Sequence, residues 1–176
     1  MPFWRTFYHL VWSTHERQPL ITELVERQLC DVLCEKAVEL GIQVHALNTW
    51  RDHVHMVVTI PPRLSVAHVV GQLKGRSAHD LNHMGEHGLA WQRGYGVLTL
   101  GSRQVEAAMT YVRNQKQHHQ DATVMAWLER AADDDEVPTG GPSDARRVVR
   151  EASSDYGPDR SEGGSWDEHE APLDDT

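Results

Sequence analysis

Residues 42–60, which read IQVHALNTWRDHVHMVVTI, predict two neighbouring β-strands. The first half alternates apolar and polar residues, and the second half is rich in β-branched types and ends at a pair of prolines. Only Arg51 and Asp52 separate the two runs. A connection this short predicts an antiparallel hairpin, around which the rest of the fold can be arranged.

Further strands and helices are predicted on both sides of the hairpin. Residues 3–12 and 95–100 predict strands, and apolar residues at helical spacing predict three helices. These helices are predicted from an N-cap at Thr22 to Gly41, from an N-cap at Ser65 to about Asn82, and over about 104–119. The order β-α-β-β-α-β-α predicts a ferredoxin-like (RRM-like) α+β fold, with helices on one face of an antiparallel sheet and an additional C-terminal helix. Many unrelated functions use this fold, so it does not identify the function.

Charge divides the chain into two parts. The whole sequence has 17 Lys and Arg against 26 Asp and Glu, a net charge of −9. Residues 1–130 hold 13 basic and 12 acidic residues, whereas residues 131–176 hold 4 and 14. We therefore predict one domain over 1–130 and an acidic, mostly disordered tail over 131–176. The nearly neutral domain does not exclude a nucleic-acid substrate.

Two cysteines are too few for a disulfide scaffold or a four-cysteine zinc site. Cys30 and Cys34 lie one helical turn apart within an apolar pattern, which predicts two core thiols. The sequence contains no run of 18 apolar residues and no basic segment followed by an apolar one at its start. We expect a soluble cytoplasmic protein with no membrane partner.

Two histidines lie on one face of the predicted third strand. His53 and His55 are separated by one residue, so their side chains point the same way, with Cα atoms about 7 Å apart. Two imidazoles placed in this way can share one metal ion. The alternative is a pair of partly exposed strand histidines in a chain that contains 12 of them.

The last predicted helix has a polar stripe beside its apolar one. Tyr111, Gln115 and His118 follow the spacing i, i+4, i+7. This spacing places a phenol one turn from a side-chain oxygen that could bind a cation. An ordinary interfacial tyrosine with solvated polar neighbours is the alternative.

Two further stretches combine features that suit nucleic acid. Residues 71–77 place two glycines in a predicted helix, at a cost of about 1 kcal/mol each relative to alanine, which suggests close approach of a backbone or ligand. Residues 91–96 interleave aromatic residues with an arginine, which suits base stacking or, equally, an aromatic loop folded against the sheet. The candidate phosphate and base contacts in these stretches are Lys74, Arg76, Ser77, Trp91, Arg93 and Tyr95.

These motifs, in this order, resemble those of the single-tyrosine HUH transposases. That family includes the transposases of small bacterial and archaeal insertion sequences and the REP-associated tyrosine transposases. The resemblance spans about residues 3–120. The matching stretches are YHLVW at 8–12, DHVHMVV at 52–58, QLKG at 72–75 with Ser77, WQRGYG at 91–96, and YVRNQ at 111–115 ahead of His118 and His119.

The resemblance implies a role for four residues. His53 and His55 match the family's paired metal ligands, Gln115 matches its third ligand, and Tyr111 matches its nucleophile. The implied cofactor is Mg²⁺ or Mn²⁺, although two imidazoles alone would also suit zinc. Relatives often have proline where this chain has Arg51.

The implied activity is cleavage and rejoining of single-stranded DNA through a covalent 5′-phosphotyrosine. We expect a DNA hairpin at the element ends, a homodimer, and a prokaryotic enzyme that works at the nucleoid. Additional DNA contacts are expected from Arg113, Asn114 and His118. The alternatives are a domesticated relative that binds single strands without cutting, a metal-dependent phosphodiesterase that uses water, and a structural ferredoxin-like protein.

Overall fold

A four-stranded antiparallel sheet forms the centre of the molecule. The computed structural model describes residues 3–85, 88–125 and 128–131. The strands lie in the order β2-β3-β1-β4, and every neighbouring pair is antiparallel. This order and connectivity confirm the predicted ferredoxin-like α+β fold. The strands are β1 Phe7–Ser13, β2 Gln43–Thr49, β3 His53–Thr59 and β4 Gly96–Leu100.

Four α-helices accompany the sheet in the described part of the chain. The Thr22 hydroxyl caps the first helix by accepting from the Val25 N–H, and Gly41 ends that helix in the left-handed conformation, with φ at 69°. Ser65 caps the second helix in the same manner. Both caps agree with the sequence prediction. The helices are α1 Glu23–Leu40, α2 Val66–His83, α3 Val105–Arg113 and α4 Gln115–Gln120.

The two faces of the sheet carry different layers. Side chains from alternate positions of β1 and β3, among them Leu10, Trp12 and Met56, are fully buried in one apolar cluster with residues of α1 and α2. The other face carries Val57, which belongs to a second, smaller cluster with α3 and Leu128. Because β3 is buried over almost its whole length, its histidines are also enclosed.

The last predicted helix, over 104–119, is in fact two helices. The chain leaves helical geometry at Asn114, where φ is −96° and ψ is 10°. Just before this point, the Asn48 amide from β2 donates to the Val112 and Arg113 carbonyls, at 2.9 and 3.0 Å. Carbonyls at a helix end have no partner within the helix, so the Asn48 contacts stabilise the break. The predicted first strand also differs, because the observed β1 runs from Phe7 to Ser13.

The prediction of two core thiols was wrong for Cys34, which is exposed, whereas Cys30 is half-buried. The buried side of α1 includes Val25, Leu29, Leu33 and Ala37. Cys34 follows Leu33 and therefore points about 100° away from it around the helix. Burial, together with nearby acidic groups, raises the pKa of the Cys30 thiol to about 11.

The acidic segment 131–176 lies, except for its first residue, outside the described residues. The predictions of a domain over 1–130 and of a disordered tail therefore remain predictions. In the described part of the chain, no helix is both long and apolar enough to span a membrane.

Candidate metal and nucleophile site

Strand β3 presents His53 and His55 on the same face, and both rings are buried. Each ring is held at its Nδ1 atom. His53 Nδ1 lies 2.6 Å from Asp52 Oδ1, and His55 Nδ1 lies 2.8 Å from Nε2 of His9, a buried residue of β1. Such contacts fix ring orientation and leave each Nε2 atom available to bind a cation.

The two Nε2 atoms face a single carboxylate. Glu129 Oε2 lies 3.0 Å from His53 Nε2 and 3.2 Å from His55 Nε2. One atom from each of the three side chains fits within 4.8 Å of the other two, which is a spacing that could hold a metal ion. Glu129 was not among the residues predicted from the sequence, because a single glutamate at the edge of the predicted tail belongs to no recognisable motif.

Gln115, from α4, is buried against the same group. Its Nε2 atom lies 2.6 Å from His53 Nε2, and its buried Oε1 atom has no hydrogen-bond partner among the described residues. An unpaired buried oxygen costs roughly 1–3 kcal/mol. The two amide atoms exchange places when the amide turns by half a rotation, so the oxygen can face the histidines instead. The unpaired Gln115 oxygen could therefore serve as the third ligand of a cation, beside the two histidines.

His119, one turn beyond Gln115, also reaches the site. Its Nε2 atom lies 3.1 Å from His53 Nε2, and its ring stacks on Trp50 with centroids 4.8 Å apart. This histidine lies next to a motif of the sequence, but no role was predicted for it. Its spacing of i+4 from Gln115 is the signal that could have found it.

The arrangement fits a divalent cation. Three polar atoms, from Gln115, His119 and Glu129, lie within 3.1 Å of the single Nε2 atom of His53, which can carry at most one hydrogen. A cation among them would satisfy several lone pairs at once. The available donors combine imidazole nitrogens with carboxylate and amide oxygens, and the oxygens favour a harder ion than imidazoles alone would select.

Electrostatic coupling is strong within this group. Burial acts to raise the pKa of Glu129, but hydrogen bonds from His53 and His55 outweigh it and hold that pKa well below its usual range. Burial lowers the pKa of His55, while the carboxylates of Asp52 and Glu129 overcome burial and raise the pKa of His53. Burial and the neighbouring His55 lower the pKa of His9 to about 3, so His9 is neutral near pH 7.

Tyr111, from α3, lies beside the same carboxylate. Its hydroxyl donates to Glu129 Oε1 at 2.7 Å and accepts from the Met125 N–H at 3.1 Å. The ring is 5% exposed and stacks on His118, with centroids 4.7 Å apart. Burial is the largest cause that raises the pKa of Tyr111 to about 12, so the phenol is protonated near pH 7. The sequence-predicted residues Tyr111, Gln115, His53 and His55 are thus brought together.

The candidate contacts on α2 have structural partners instead. The Lys74 ammonium donates to the carbonyls of Gln92, Arg93 and Gly94, at 2.6, 3.1 and 2.9 Å. Ser77 is fully buried, and its hydroxyl donates to the Leu73 carbonyl. Ser77 is therefore corrected from a phosphate contact to a core residue, because no face of it reaches solvent.

The aromatic stretch 91–96 folds against the sheet. The Trp91 ring packs edge-on against Trp12 with centroids 6.1 Å apart, and its Nε1–H donates to the Ser77 hydroxyl at 3.1 Å. Tyr95 is half-buried on the same cluster. This arrangement favours the second interpretation of the stretch, in which the aromatic loop completes the core. A Cβ atom at Gly71 or Gly75 would meet nothing within 4 Å, so no backbone of the described residues approaches these glycines closely, and the suggested approach of a ligand stays a prediction.

The remaining candidate DNA contacts differ in exposure. Arg93, Arg113 and Asn114 are exposed, and His118 is half-buried beside Tyr111. Arg76 is paired with Asp80 and with Glu39 on the surface of the helical layer. His118 contacts the site through the Tyr111 ring, and Asn114 directly precedes Gln115 in the chain.

Comparison with known proteins places this chain among transposases. Residues 2–115 match the family model described as "Transposase IS200 like". The chain is 27% identical over 115 residues to the ISDra2 transposase TnpA of Deinococcus radiodurans, covering 61% of this chain and 82% of that protein. It is also 27% identical over 119 residues to the transposase for insertion sequence element IS200 of Salmonella typhimurium, covering 64% and 78%.

Solved structures agree with this relationship. A crystal structure of a proposed Deinococcus radiodurans transposase aligns with a TM-score of 0.51 at 27% identity, over 72% of this chain and 97% of the other. A REP-associated tyrosine transposase bound to a REP hairpin aligns with a TM-score of 0.53 over 72% and 76%, and at 13% identity it is similar in fold only. Since the family match covers well over half of the sequence, the chain belongs to the IS200-like transposase family.

Proposed function

We propose that this chain cleaves and rejoins single-stranded DNA through a covalent 5′-phosphotyrosine on Tyr111, with Mg²⁺ or Mn²⁺ held by His53, His55 and Gln115. One observation carries the proposal: the Tyr111 hydroxyl and both histidine Nε2 atoms contact the same carboxylate. A nucleophile and a cation site that share a neighbour can act on one phosphodiester. Family membership supports strand transfer on DNA.

In the proposed reaction, Tyr111 is the nucleophile and the other site residues hold the cation and position its ligands. The Tyr111 oxygen attacks the phosphorus, the bond from phosphorus to the 3′-oxygen breaks, and the phenol proton leaves while the 3′-oxygen gains one. Reversal by a 3′-hydroxyl releases Tyr111 and reseals the strand without ATP, because the phosphodiester bond energy is kept in the tyrosine ester. A bound divalent cation would neutralise charge that develops on a non-bridging phosphate oxygen. Asp52 and His9 keep the two imidazoles in position for that cation.

The proposed substrate is single-stranded DNA next to a hairpin. A fold neighbour is bound to a REP hairpin, which supports this choice of substrate. Although the domain is not strongly basic, the exposed side chains of Arg93, Arg113 and Asn114 can contact a DNA strand. We also propose a homodimer, as the resemblance implies.

Tyr111→Phe tests the proposal because it removes one hydroxyl and little else. The full chain, incubated with Mn²⁺ and single-stranded DNA from the flanks of its own gene, should give a protein–DNA adduct that survives denaturation. Tyr111→Phe should lose the adduct and keep DNA binding, while Tyr8→Phe, which removes a hydroxyl on β1, should keep both.

Three results would reject the proposal. An adduct formed by Tyr111→Phe would mean that another residue is the nucleophile. Cut DNA without any adduct from the unmodified chain would indicate a phosphodiesterase that uses water. Uncut DNA that is nevertheless bound would indicate a domesticated binding relative.

A further inference from the structure

We propose that Glu129 joins the proposed metal site as a carboxylate ligand through Oε2 and positions the Tyr111 hydroxyl through Oε1. This inference rests on the proposed function and adds a residue to it. Glu129 lies 14 positions beyond the end of the family match at residue 115, so the match does not include it.

The contacts of the carboxylate are divided between its two oxygens. Oε1 accepts from the Tyr111 hydroxyl at 2.7 Å, and Oε2 lies 3.0 and 3.2 Å from the histidine Nε2 atoms. The side chain is 14% exposed, so most of its surface is shielded from solvent. One rigid, planar group therefore links the nucleophile with the histidine pair.

The backbone around Glu129 is held on the sheet by contacts of its own. Leu128 is 3% exposed and packs in the second apolar cluster with Val57 and Leu100. Arg17 donates to the Glu129 carbonyl at 3.4 Å. The Arg130 carbonyl lies so close to β4 that a Cβ atom at Gly96 would be 2.0 Å from it. Glu129 thus reaches the site from an anchored segment.

The Glu129 carboxylate supplies the negative charge that the other proposed ligands lack. Two imidazoles and an amide are all neutral ligands, and they would leave a divalent cation without a protein counter-charge. A carboxylate oxygen supplies one negative charge and is the ligand type that Mg²⁺ and Mn²⁺ prefer. It therefore accounts for a hard ion at a site whose two histidines alone would suit zinc.

Manganese binding tests the ligand role without any DNA. Isothermal titration of the full chain with Mn²⁺ should show affinity at least about tenfold weaker in Glu129→Ala and Glu129→Gln. Tyr111→Phe should bind Mn²⁺ as the unmodified chain does, because it removes the hydrogen bonds to Glu129 Oε1 and from the Met125 N–H but no proposed ligand atom. Glu35→Gln, an exposed glutamate of α1, is the matched control for lost charge. Unchanged affinity in Glu129→Ala would overturn the ligand role.

Adduct yield at saturating Mn²⁺ tests the positioning role. Glu129→Ala should give less adduct than the unmodified chain, and Glu129→Gln should give more than Glu129→Ala, because its carbonyl oxygen can still accept from Tyr111. An increase in yield on removing Glu129 would overturn the inference and show that the carboxylate competes with the scissile phosphate. If the unmodified chain forms no adduct, the proposed function fails, while the manganese titration still decides the ligand role.

Discussion

Each of the two site histidines is held by one residue at its Nδ1 atom, but the two partners come from different parts of the sequence. Asp52 directly precedes His53, so the two residues are neighbours in the sequence itself. His9 lies 46 positions from His55 and reaches it only because β1 pairs with β3 in the observed register. Its partner role depends on tertiary structure.

His9→Phe should weaken Mn²⁺ binding by about tenfold or more, because His55 Nδ1 loses its hydrogen bond to His9 and the ring loses its fixed orientation. Phenylalanine fills a similar volume, so the domain should remain folded. Isothermal titration measures the affinity, and His68→Phe, at an exposed position of α2, controls for loss of an imidazole. Equal affinities in the two variants would contradict this role for His9.

The cysteines should differ in reactivity. The thiolate is the reactive form, and a pKa of about 11 leaves about one part in a thousand of Cys30 ionised at pH 8. Cys34 also has a raised pKa, but it is exposed. Brief treatment with iodoacetamide at pH 8, followed by peptide mass spectrometry, should therefore find Cys34 modified well before Cys30. Raising the pH should increase both rates, and faster labelling of Cys30 would contradict the observed burial.

At the scale of elements, local patterns predicted well and contacts between distant segments did not. The hairpin β2–β3 and the caps of α1 and α2 follow from neighbouring residues, and all were predicted. The break at Asn114 depends on Asn48, which lies on another strand, and no periodicity within the helix reports it. The break separates Tyr111 from Gln115, so they are no longer one continuous helical face.

Gly96 on β4 permits the segment that carries Glu129 to lie on the sheet. A methyl group there would meet the Arg130 carbonyl at 2.0 Å and a Val11 methyl at 2.7 Å, and a backbone carbonyl cannot move aside cheaply. Gly96→Ala should therefore displace the segment and weaken Mn²⁺ binding, with Glu129 itself intact. Gly71→Ala, where an added Cβ meets nothing within 4 Å, is the matched control. Isothermal titration compares the two, and equal affinities would contradict this account.

At the scale of the molecule, the structure places the four residues that the resemblance implies close together and adds Glu129 to them. Spacing on a strand and a helix suggested His53, His55, Tyr111 and Gln115, because each pair lies within a few positions of the chain. Glu129 belongs to no repeating pattern, and only the path of the chain after α4 brings it to β3. The boundary predicted from charge alone, after residue 130, keeps Leu128, Glu129 and Arg130 within the predicted domain.

Two truncations test where the domain ends. A chain of residues 1–131 keeps Leu128, Glu129 and the Arg130 carbonyl, so its melting temperature and Mn²⁺ affinity should match those of the full chain. A chain of residues 1–125 loses the buried leucine and the carboxylate, and both quantities should fall, since removal of a buried leucine side chain costs about 2–5 kcal/mol.

The chain of residues 1–131 should bind single-stranded DNA more tightly than the full chain does. Residues 131–176 carry 14 acidic and 4 basic residues, so this segment can compete electrostatically with a DNA strand for the exposed arginines. Removing it should tighten binding of single-stranded DNA modestly, and the gain should shrink as salt rises, because the screening length is about 8 Å at physiological ionic strength. Affinities of the full chain and of residues 1–131 at two salt concentrations measure this. A large loss of thermal stability in residues 1–131 would show instead that the acidic segment packs against the domain, and its proposed electrostatic role would then be wrong.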